Sequence, residues 1–325
     1  MHVFDRSTRA LTLIAVVAAA AACASSGRHP ATPLPQAKAE VTSLPDSLVT
    51  TEWLADHLND PDLVVLDCTV TVRQGEDGGL VIESGRAGYR VGHIPTAGFA
   101  DLMGELADAD STSKYALPSP QAFADAMGRL GVGDDTRVVL YDASMSAWAA
   151  RVWWMLRWVG FDRAAVLDGG LAAWKAEGRP LSTEPSDEPV RVLTPAPRPE
   201  LVADRDEVLA AIGDESVRLI DAMPEEHFRG EMTMYARPGH IPTADNVPVT
   251  ALLDDTGRYK SNNELAALFG ADRSGRAITY CGGGIAASAT AFAMTRLGFT
   301  DVAVYTASLQ EWAADPANPM VTESR

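Results

Sequence analysis

The chain contains the same series of segments twice, and this repeat constrains its fold more than any other feature. The first copy contains LVVLDC (63–68), GHIPTAGF (92–99), RVVLYDA (137–143) and AAVLDGGLAAW (164–174). The second contains RLIDAM (218–223), GHIPTADNV (239–247), RAITYCG (276–282) and VAVYTASLQEW (302–312). The order is the same, and the offsets are close: 147 residues from His93 to His240 and 139 from Asp142 to Cys281. We infer a tandem duplication.

Within each copy, short β-branched runs alternate with stretches of helical composition. RVVLY and RAITY have the composition of buried strands, and each is followed by a helical run that ends at glycine, Gly160 or Gly298. This alternation predicts an α/β fold in which each copy forms a parallel sheet flanked by helices. Ligands of such sheets bind at the loops after the carboxyl ends of the strands. Asp142 and Cys281 stand in equivalent loops of this kind.

The N-terminus reads as an export signal. Arg6 and Arg9 precede an apolar run over 10–22, which is too short for a membrane-spanning helix but suits a signal peptide. Small residues lead into Cys23, as in bacterial lipoprotein signals; the alternative is an ordinary signal cleaved near Ala22. We therefore predict an exported protein of the bacterial cell envelope, either lipid-anchored through Cys23 on the periplasmic face or periplasmic.

Proline-rich stretches separate the remaining regions. The predicted regions are a signal peptide (1–22), a lipid-anchored flexible tether (23–46), the first domain (47–181), a linker (182–200) and the second domain (201–325).

The segment AITYCGGGIAAS predicts a reactive cysteine. It places Cys281 between an apolar strand and three glycines that lead into a helix. Glycines allow a loop to turn its N–H groups inward, and such a loop at a helix N-terminus stabilises an anion. The same field lowers the pKa of a thiol and makes it a nucleophile. The alternative is a buried structural cysteine, which is our expectation for Cys68.

The motifs TYCGGGIAAS, YDASMSAWAARVWWMLRWVGF and the repeated GHIPTA resemble the tandem-domain rhodanese family, the thiosulfate and 3-mercaptopyruvate sulfurtransferases. The resemblance covers about residues 47–325 and implies two rhodanese-like domains. It also implies that Cys281 carries the sulfur as a persulfide, and that the first domain is non-catalytic because Asp142 replaces the cysteine.

The loop composition narrows the function further. Phosphatases of this fold use Cys-x5-Arg, but Ala287 stands where the arginine would be. The loop Cys-Gly-Gly-Gly lacks the Arg-Lys pair of thiosulfate-type enzymes, which slightly favours 3-mercaptopyruvate as the donor. It also lacks the serine of mercaptopyruvate-type loops, because Gly283 stands in its place.

The resemblance implies further site residues. Arg229 and Arg237 are the candidates for binding the substrate carboxylate and ketone, and the alternative for each is a solvated loop arginine. His93 is a candidate for proton transfer, although its presence in both GHIP turns, with His240, favours an architectural role. The other predicted substrate-binding residues are Gly282, Gly283, Gly284, Ile285 and Ala286.

The net charge of −17 argues against a nucleic-acid partner. Six histidines show no metal-binding spacing, so we expect no metal and no cofactor. The predicted partners are a small anionic sulfur donor, a thiol or cyanide acceptor, and a membrane through the lipid anchor only. The alternative function is an envelope persulfide relay or sulfur-binding protein with little turnover.

Overall fold

The structure is a computed structural model and describes residues 43–75 and 79–322. The predicted signal peptide and Cys23 lie outside the described residues. The elements of the first copy are β1 Leu48–Val49, α1 Thr51–His57, β2 Leu63–Asp67, β3 Val70–Gln74, β4 Leu80–Ser84, α2 Arg86–Val91, β5 Gly98–Phe99, α3 Pro120–Arg129, β6 Arg137–Tyr141, α4 Ala147–Trp158, β7 Ala164–Leu167 and α5 Gly170–Ala176. Those of the second are β8 Val202–Ala203, α6 Arg205–Ala211, β9 Val217–Asp221, α7 Glu225–Phe228, β10 Asp245–Asn246, α8 Asn262–Phe269, β11 Arg276–Tyr280, α9 Ile285–Arg296, β12 Val302–Tyr305 and α10 Ser308–Trp312.

Each copy forms a five-stranded parallel sheet, as the alternation of strands and helices predicts. The strand order is β1-β7-β6-β2-β5 in the first copy and β8-β12-β11-β9-β10 in the second. Equivalent strands therefore hold equivalent places. The central strands β6 and β11 are buried almost throughout. The first copy also carries an antiparallel pair, β3 and β4. The predicted fold class is confirmed.

The two copies pack against each other through equivalent helices. α4 of the first copy lies against α9 of the second, and Trp153 meets Phe292 edge to face with ring centroids 4.8 Å apart. Buried side chains of both copies form one continuous apolar core across this contact. Because both helices follow the loops that carry Asp142 and Cys281, the packing brings the first copy close to the Cys281 loop.

The segment 182–200 runs back along the first copy before it enters the second. The N–H of Arg191 donates to the carbonyl of Gly128 (3.0 Å), and the N–H of Ala196 donates to the carbonyl of Val159 (2.8 Å). This segment is thus held by backbone hydrogen bonds along the surface of the first copy.

Some helices of each copy have a side-chain cap at their start and others, α4 and α9 among them, do not. The side chains of Thr50, Ser119, Asp204 and Ser261 each accept a hydrogen bond from the first turn of a helix. The N-cap residues of α4 and α9 provide no such side-chain bond. The first-turn N–H groups of α4 and α9 are therefore left for another partner.

Candidate active site

Cys281 follows β11 directly, and its loop (281–284, the Cys281 loop) is fixed from the side of α10. The N–H of Cys281 donates to the hydroxyl of Ser308 (3.1 Å), and its carbonyl accepts from the N–H of Leu309 (3.0 Å). The carbonyl of Gly282 accepts from the N–H of Gln310 (3.0 Å). Cys281 itself is only 3% exposed. The start of the loop is therefore tied to α10 by one N–H donor and two carbonyl acceptors.

Gly284 ends this loop in a left-handed conformation that favours glycine, with φ +83°. A Cβ at this position would lie 2.8 Å from the carbonyl oxygen of Thr306. Only glycine therefore fits, and α9 begins at the next residue, Ile285. The sequence prediction of a strand, a glycine turn and a helix around Cys281 matches this geometry.

The equivalent loop of the first copy (142–146, the Asp142 loop) closes around its own carboxylate. The Asp142 carboxylate accepts hydrogen bonds from the N–H groups of Ser144 (2.8 Å), Ser146 (3.1 Å), Trp148 (3.0 Å) and Ala149 (3.0 Å). Burial raises the pKa of this carboxyl, and the four N–H groups oppose the rise. This loop is therefore an occupied anion site.

Matching the starts of α4 and α9 extends this geometry to the Cys281 loop. Trp148 and Ala149 correspond to Ala286 and Ala287, the second and third residues of α9. Their N–H groups belong to the first turn, which carries the positive end of the helix dipole. The Cys281 loop therefore presents the same type of donors beside a thiol instead of a carboxylate.

Four side chains cover the Cys281 loop, two from each copy, and sequence reasoning identified none of them. Arg151 lies in the middle of an apolar helix, and a charged residue in such a stretch is a sequence signal for a buried functional group. The others have no local signal because their role depends on contacts between distant segments. They are Tyr115 and Arg151 of the first copy and Tyr235 and Gln310 of the second.

The two tyrosines face the loop as neutral phenols. A Cβ added to Gly282 would overlap the hydroxyl of Tyr235. Burial raises the pKa of Tyr235, and negative charge on Cys281 raises it further. Tyr115 lies with its ring 3.6 Å from the position of a Cβ on Gly283, and burial raises its pKa to about 12. Both therefore remain protonated at neutral pH.

Gln310 joins the loop to the first copy. Its side-chain oxygen accepts from the N–H of Lys114 (3.1 Å), and its amide nitrogen donates to the carbonyl of Lys114 (3.3 Å). A Cβ added to Gly283 would overlap the same amide nitrogen. The space that a serine side chain would need is therefore filled by Gln310, which accounts for glycine at position 283.

Arg237 is held by backbone carbonyls, and it lines a small cavity together with Tyr235 and Leu309, two residues that contact the Cys281 loop. Its guanidinium donates to the carbonyls of Ala313 (2.9 Å), Asn318 (2.8 Å), Trp312 (3.0 Å) and Asp315 (2.7 Å). These bonds use four of its five N–H groups. They fix the chain after α10, and the substrate-binding role of Arg237 stays a prediction.

Arg229 lies apart from the contacts around Cys281. It pairs with Glu225 one turn earlier and lines a surface cavity with Asp245 and Asn246. Its side chain is 44% exposed. These contacts place Arg229 at the surface beside α7, and its substrate-binding role stays a prediction.

His93 is buried and its ring is held between backbone carbonyls. Nδ1 lies 2.8 Å from the carbonyl oxygen of Tyr89, and Nε2 lies 2.9 Å from that of Glu184. His240 repeats the arrangement, with Nδ1 2.7 Å from the carbonyl oxygen of Phe228. Both ring nitrogens of His93 thus lie against backbone carbonyls, which favours the architectural alternative, and proton transfer by His93 stays a prediction.

Cys68 is a core thiol, as expected. It is fully buried, and burial together with the nearby Asp67 and Asp142 raises its pKa well above the usual thiol value. A thiol in this state is a poor nucleophile.

Comparison with known proteins agrees with this geometry. The sequence profile described as the rhodanese-like domain matches residues 50–177 and 204–315. These ranges lie inside the two predicted domains. The chain belongs to the rhodanese-like family.

This chain is similar to several members of the family over most of their length. A probable 3-mercaptopyruvate sulfurtransferase of Pseudomonas aeruginosa is 36% identical over 284 residues, which cover 85% of this chain and 98% of the relative. The thiosulfate sulfurtransferase of Gallus gallus is 33% identical, covering 82% of this chain and 93% of the relative. The crystal structure of the Escherichia coli 3-mercaptopyruvate sulfurtransferase SseA superposes with a TM-score of 0.72 at 34% identity, covering 81% of this chain and 98% of SseA. The prediction of a tandem rhodanese-like enzyme of the sulfurtransferase class is confirmed.

Proposed function

We propose that this protein moves a sulfane sulfur from 3-mercaptopyruvate or thiosulfate to a thiol or cyanide through a persulfide on Cys281. The observation that carries the proposal is the Asp142 loop. It binds a carboxylate with four N–H groups, and the equivalent loop of the second copy presents Cys281 at the same place. A loop of this geometry suits a thiolate and a persulfide anion.

The reaction proceeds in two displacements. The Cys281 thiolate attacks the outer sulfur of the donor and forms an S–S bond. With 3-mercaptopyruvate the C–S bond breaks, and pyruvate leaves as an enolate that takes up a proton; with thiosulfate the S–S bond breaks and sulfite leaves. An acceptor thiolate or cyanide then attacks the outer sulfur of the persulfide and restores the Cys281 thiolate. Such a sequence gives ping-pong kinetics.

The loop composition favours 3-mercaptopyruvate slightly over thiosulfate as the donor. The loop lacks the basic pair that suits a dianion, and the relatives at 34% to 36% identity include proteins named for 3-mercaptopyruvate and a putative thiosulfate sulfurtransferase.

The test is turnover with each donor and a cyanide acceptor, for the natural protein and Cys281→Ser, with Cys68→Ser as the matched control. We expect thiocyanate formation that Cys281→Ser abolishes and Cys68→Ser retains. Mass spectrometry after donor exposure should show a gain of one sulfur on the peptide with Cys281. Turnover in Cys281→Ser would contradict the proposal. Uptake of one sulfur without turnover would support the persulfide relay instead.

We further propose that the protein is exported and lipid-anchored through Cys23. The support is the sequence pattern alone. Among residues 43–75 and 79–322, no helix is long and apolar enough to cross a bilayer. We expect the full chain, expressed in a Gram-negative host, to enter the membrane fraction and incorporate labelled fatty acid. Cys23→Ser should do neither, whereas Cys281→Ser should do both. Fatty acid in Cys23→Ser would contradict the anchor.

A further inference from the structure

Arg151 is a buried cation in the helix of the non-catalytic copy. Its exposed fraction is 0%, and its Nη2 donates to the carbonyl of Tyr115 (3.0 Å). Within the described part of the chain, its Nε and Nη1 have no hydrogen-bond partner. Its guanidinium lies over the ring of Trp154, 5.0 Å from the ring centroid. A buried charge without a paired anion is costly, so its surroundings need a negative group to balance it.

The unpartnered face of Arg151 points at the Cys281 loop. Nη1 lies 3.1 Å from the position that a Cβ on Gly284 would occupy. Gly284 is the residue between the loop and α9, so the guanidinium and the N-terminus of α9 meet at one place. Burial lowers the pKa of Arg151 to about 10, and the charge on Cys281 opposes this effect. Arg151 therefore stays protonated at neutral pH.

We propose that Arg151 supplies the cation that stabilises negative charge on Cys281, so that the copy without a cysteine completes the site of the other. The charge is that of the thiolate before the reaction and of the persulfide after the first displacement. The inference rests on the proposed function only in taking Cys281 as the reacting group.

The duplication supports an asymmetric role. Matching the helix starts places Ala289 of α9 where α4 carries Arg151. The second copy therefore has no arginine at the matching position of its helix. The Asp142 carboxylate is held by four N–H groups of its own loop and helix instead.

The pH dependence of Cys281 has other contributors that the experiment must hold constant. Burial raises the pKa of Asp221 to about 7, so this carboxyl titrates near neutrality. Tyr115 and Tyr235 remain neutral there. The titratable and charged groups on the elements packed around the loop are Lys114, Tyr115, Arg151, Asp221, Tyr235, Arg237 and Glu311. Comparison of single arginine variants leaves all the other groups unchanged.

The test is the rate of Cys281 alkylation by iodoacetamide against pH, measured by mass spectrometry on the peptide that contains it. The variants are Arg151→Met, Arg151→Lys and the matched control Arg157→Met, all in the full chain. Arg157 lies on the same helix, packs on Trp153 and reaches Thr295 of the second copy (3.4 Å). Burial and the nearby Arg198 lower the pKa of Arg157, and Asp162 opposes this shift.

We expect Arg151→Met to shift the alkylation profile upward by about one pH unit, which slows the reaction about tenfold at neutral pH. Arg151→Lys should recover most of the rate, and Arg157→Met should change it by less than about twofold. Coincident profiles of Arg151→Met and the natural protein would overturn the inference, as would an equal shift in Arg157→Met.

If Arg151→Met does not fold, Arg151→Gln replaces it, and equal profiles for the Lys and Gln variants overturn the inference. Because alkylation needs no sulfur donor, the outcome is independent of sulfur transfer. A shifted profile in a protein that forms no persulfide would disprove the proposed function and keep the role of Arg151.

Discussion

The Asp142 and Cys281 loops have the same place in the same fold and differ in their first side chain, a carboxylate in one and a thiol in the other. The first is closed by its own carboxylate, which accepts four backbone N–H bonds. The second is bound to α10 through its first two carbonyls and has a cysteine where the carboxylate would be. The comparison teaches that the same loop position surrounds a carboxylate in one copy and presents a thiol in the other.

The comparison also shows that the two copies place different side chains beside each other's loops. Tyr115 and Arg151 of the first copy contact the Cys281 loop or point at it. The helix position equivalent to Arg151 is Ala289. The copy without the cysteine thus contributes side chains to the surroundings of the Cys281 loop.

The strongest way to test the comparison is Cys281→Asp, which gives the second loop the side chain of the first. We expect complete loss of sulfur transfer, because no nucleophilic sulfur remains. We also expect a higher denaturation midpoint than that of Cys281→Ser, because the carboxylate can accept the first-turn N–H groups of α9. A midpoint below that of Cys281→Ser would show that the two loops do not bind an anion in the same way.

The opposite change, Asp142→Ala, leaves four N–H groups of the first loop and of α4 without their acceptor. We expect a loss of about 3 kcal/mol in the free energy of unfolding, measured in urea. Asp142→Asn keeps one acceptor oxygen and should cost less. If Asp142→Ala is as stable as the natural protein, the carboxylate does not organise the loop.

Gly283→Ser introduces the serine of mercaptopyruvate-type loops. The side chain would displace the amide of Gln310 from Lys114, so we expect a loss of about tenfold in kcat/KM through a misplaced loop. In the double variant Gly283→Ser with Gln310→Ala, the space is free and much of the loss should be recovered. No recovery, with Gln310→Ala alone fully active, would mean that the contact with Gln310 is not what excludes serine.

The smallest expected effect compares the aspartates that end β2 and β9. The Asp67 carboxylate accepts from the N–H and hydroxyl of Thr69, whereas that of Asp221 accepts from the N–H of Met223. Burial raises the pKa of both carboxyls, and that of Asp221 reaches about 7. Because the folded-state pKa of Asp221 exceeds the unfolded value, its contribution is present at acid pH and is lost as the pH rises through about 7.

We therefore expect the free energy of unfolding to fall by roughly 2 kcal/mol between about pH 5 and pH 8 on account of Asp221. Asp221→Asn should flatten this slope more than Asp67→Asn does. Urea unfolding at several pH values measures both. Equal slopes in the two variants would show that Thr69 does not distinguish the two sites.

The sequence by itself determined the duplication, the parallel α/β fold and the place of Cys281 in a glycine loop. These are local features, because strand and helix periodicity, a glycine turn and a repeat are all visible in neighbouring residues. The architectural reading of the GHIP histidines also came from the repeat, since only one copy has the cysteine.

Only the tertiary structure decided which side chains reach Cys281. Arg237 resembled a substrate ligand in the sequence, but its partners are four carbonyls near the C-terminus of the chain. In the sequence, Arg151 resembles any other residue of a helix that packs against its neighbour. In the structure it is buried, and the part of its guanidinium without a hydrogen-bond partner lies beside the Cys281 loop. The physical reason is that the partner of a long charged side chain is set by which distant elements meet around it, and no local pattern encodes that meeting.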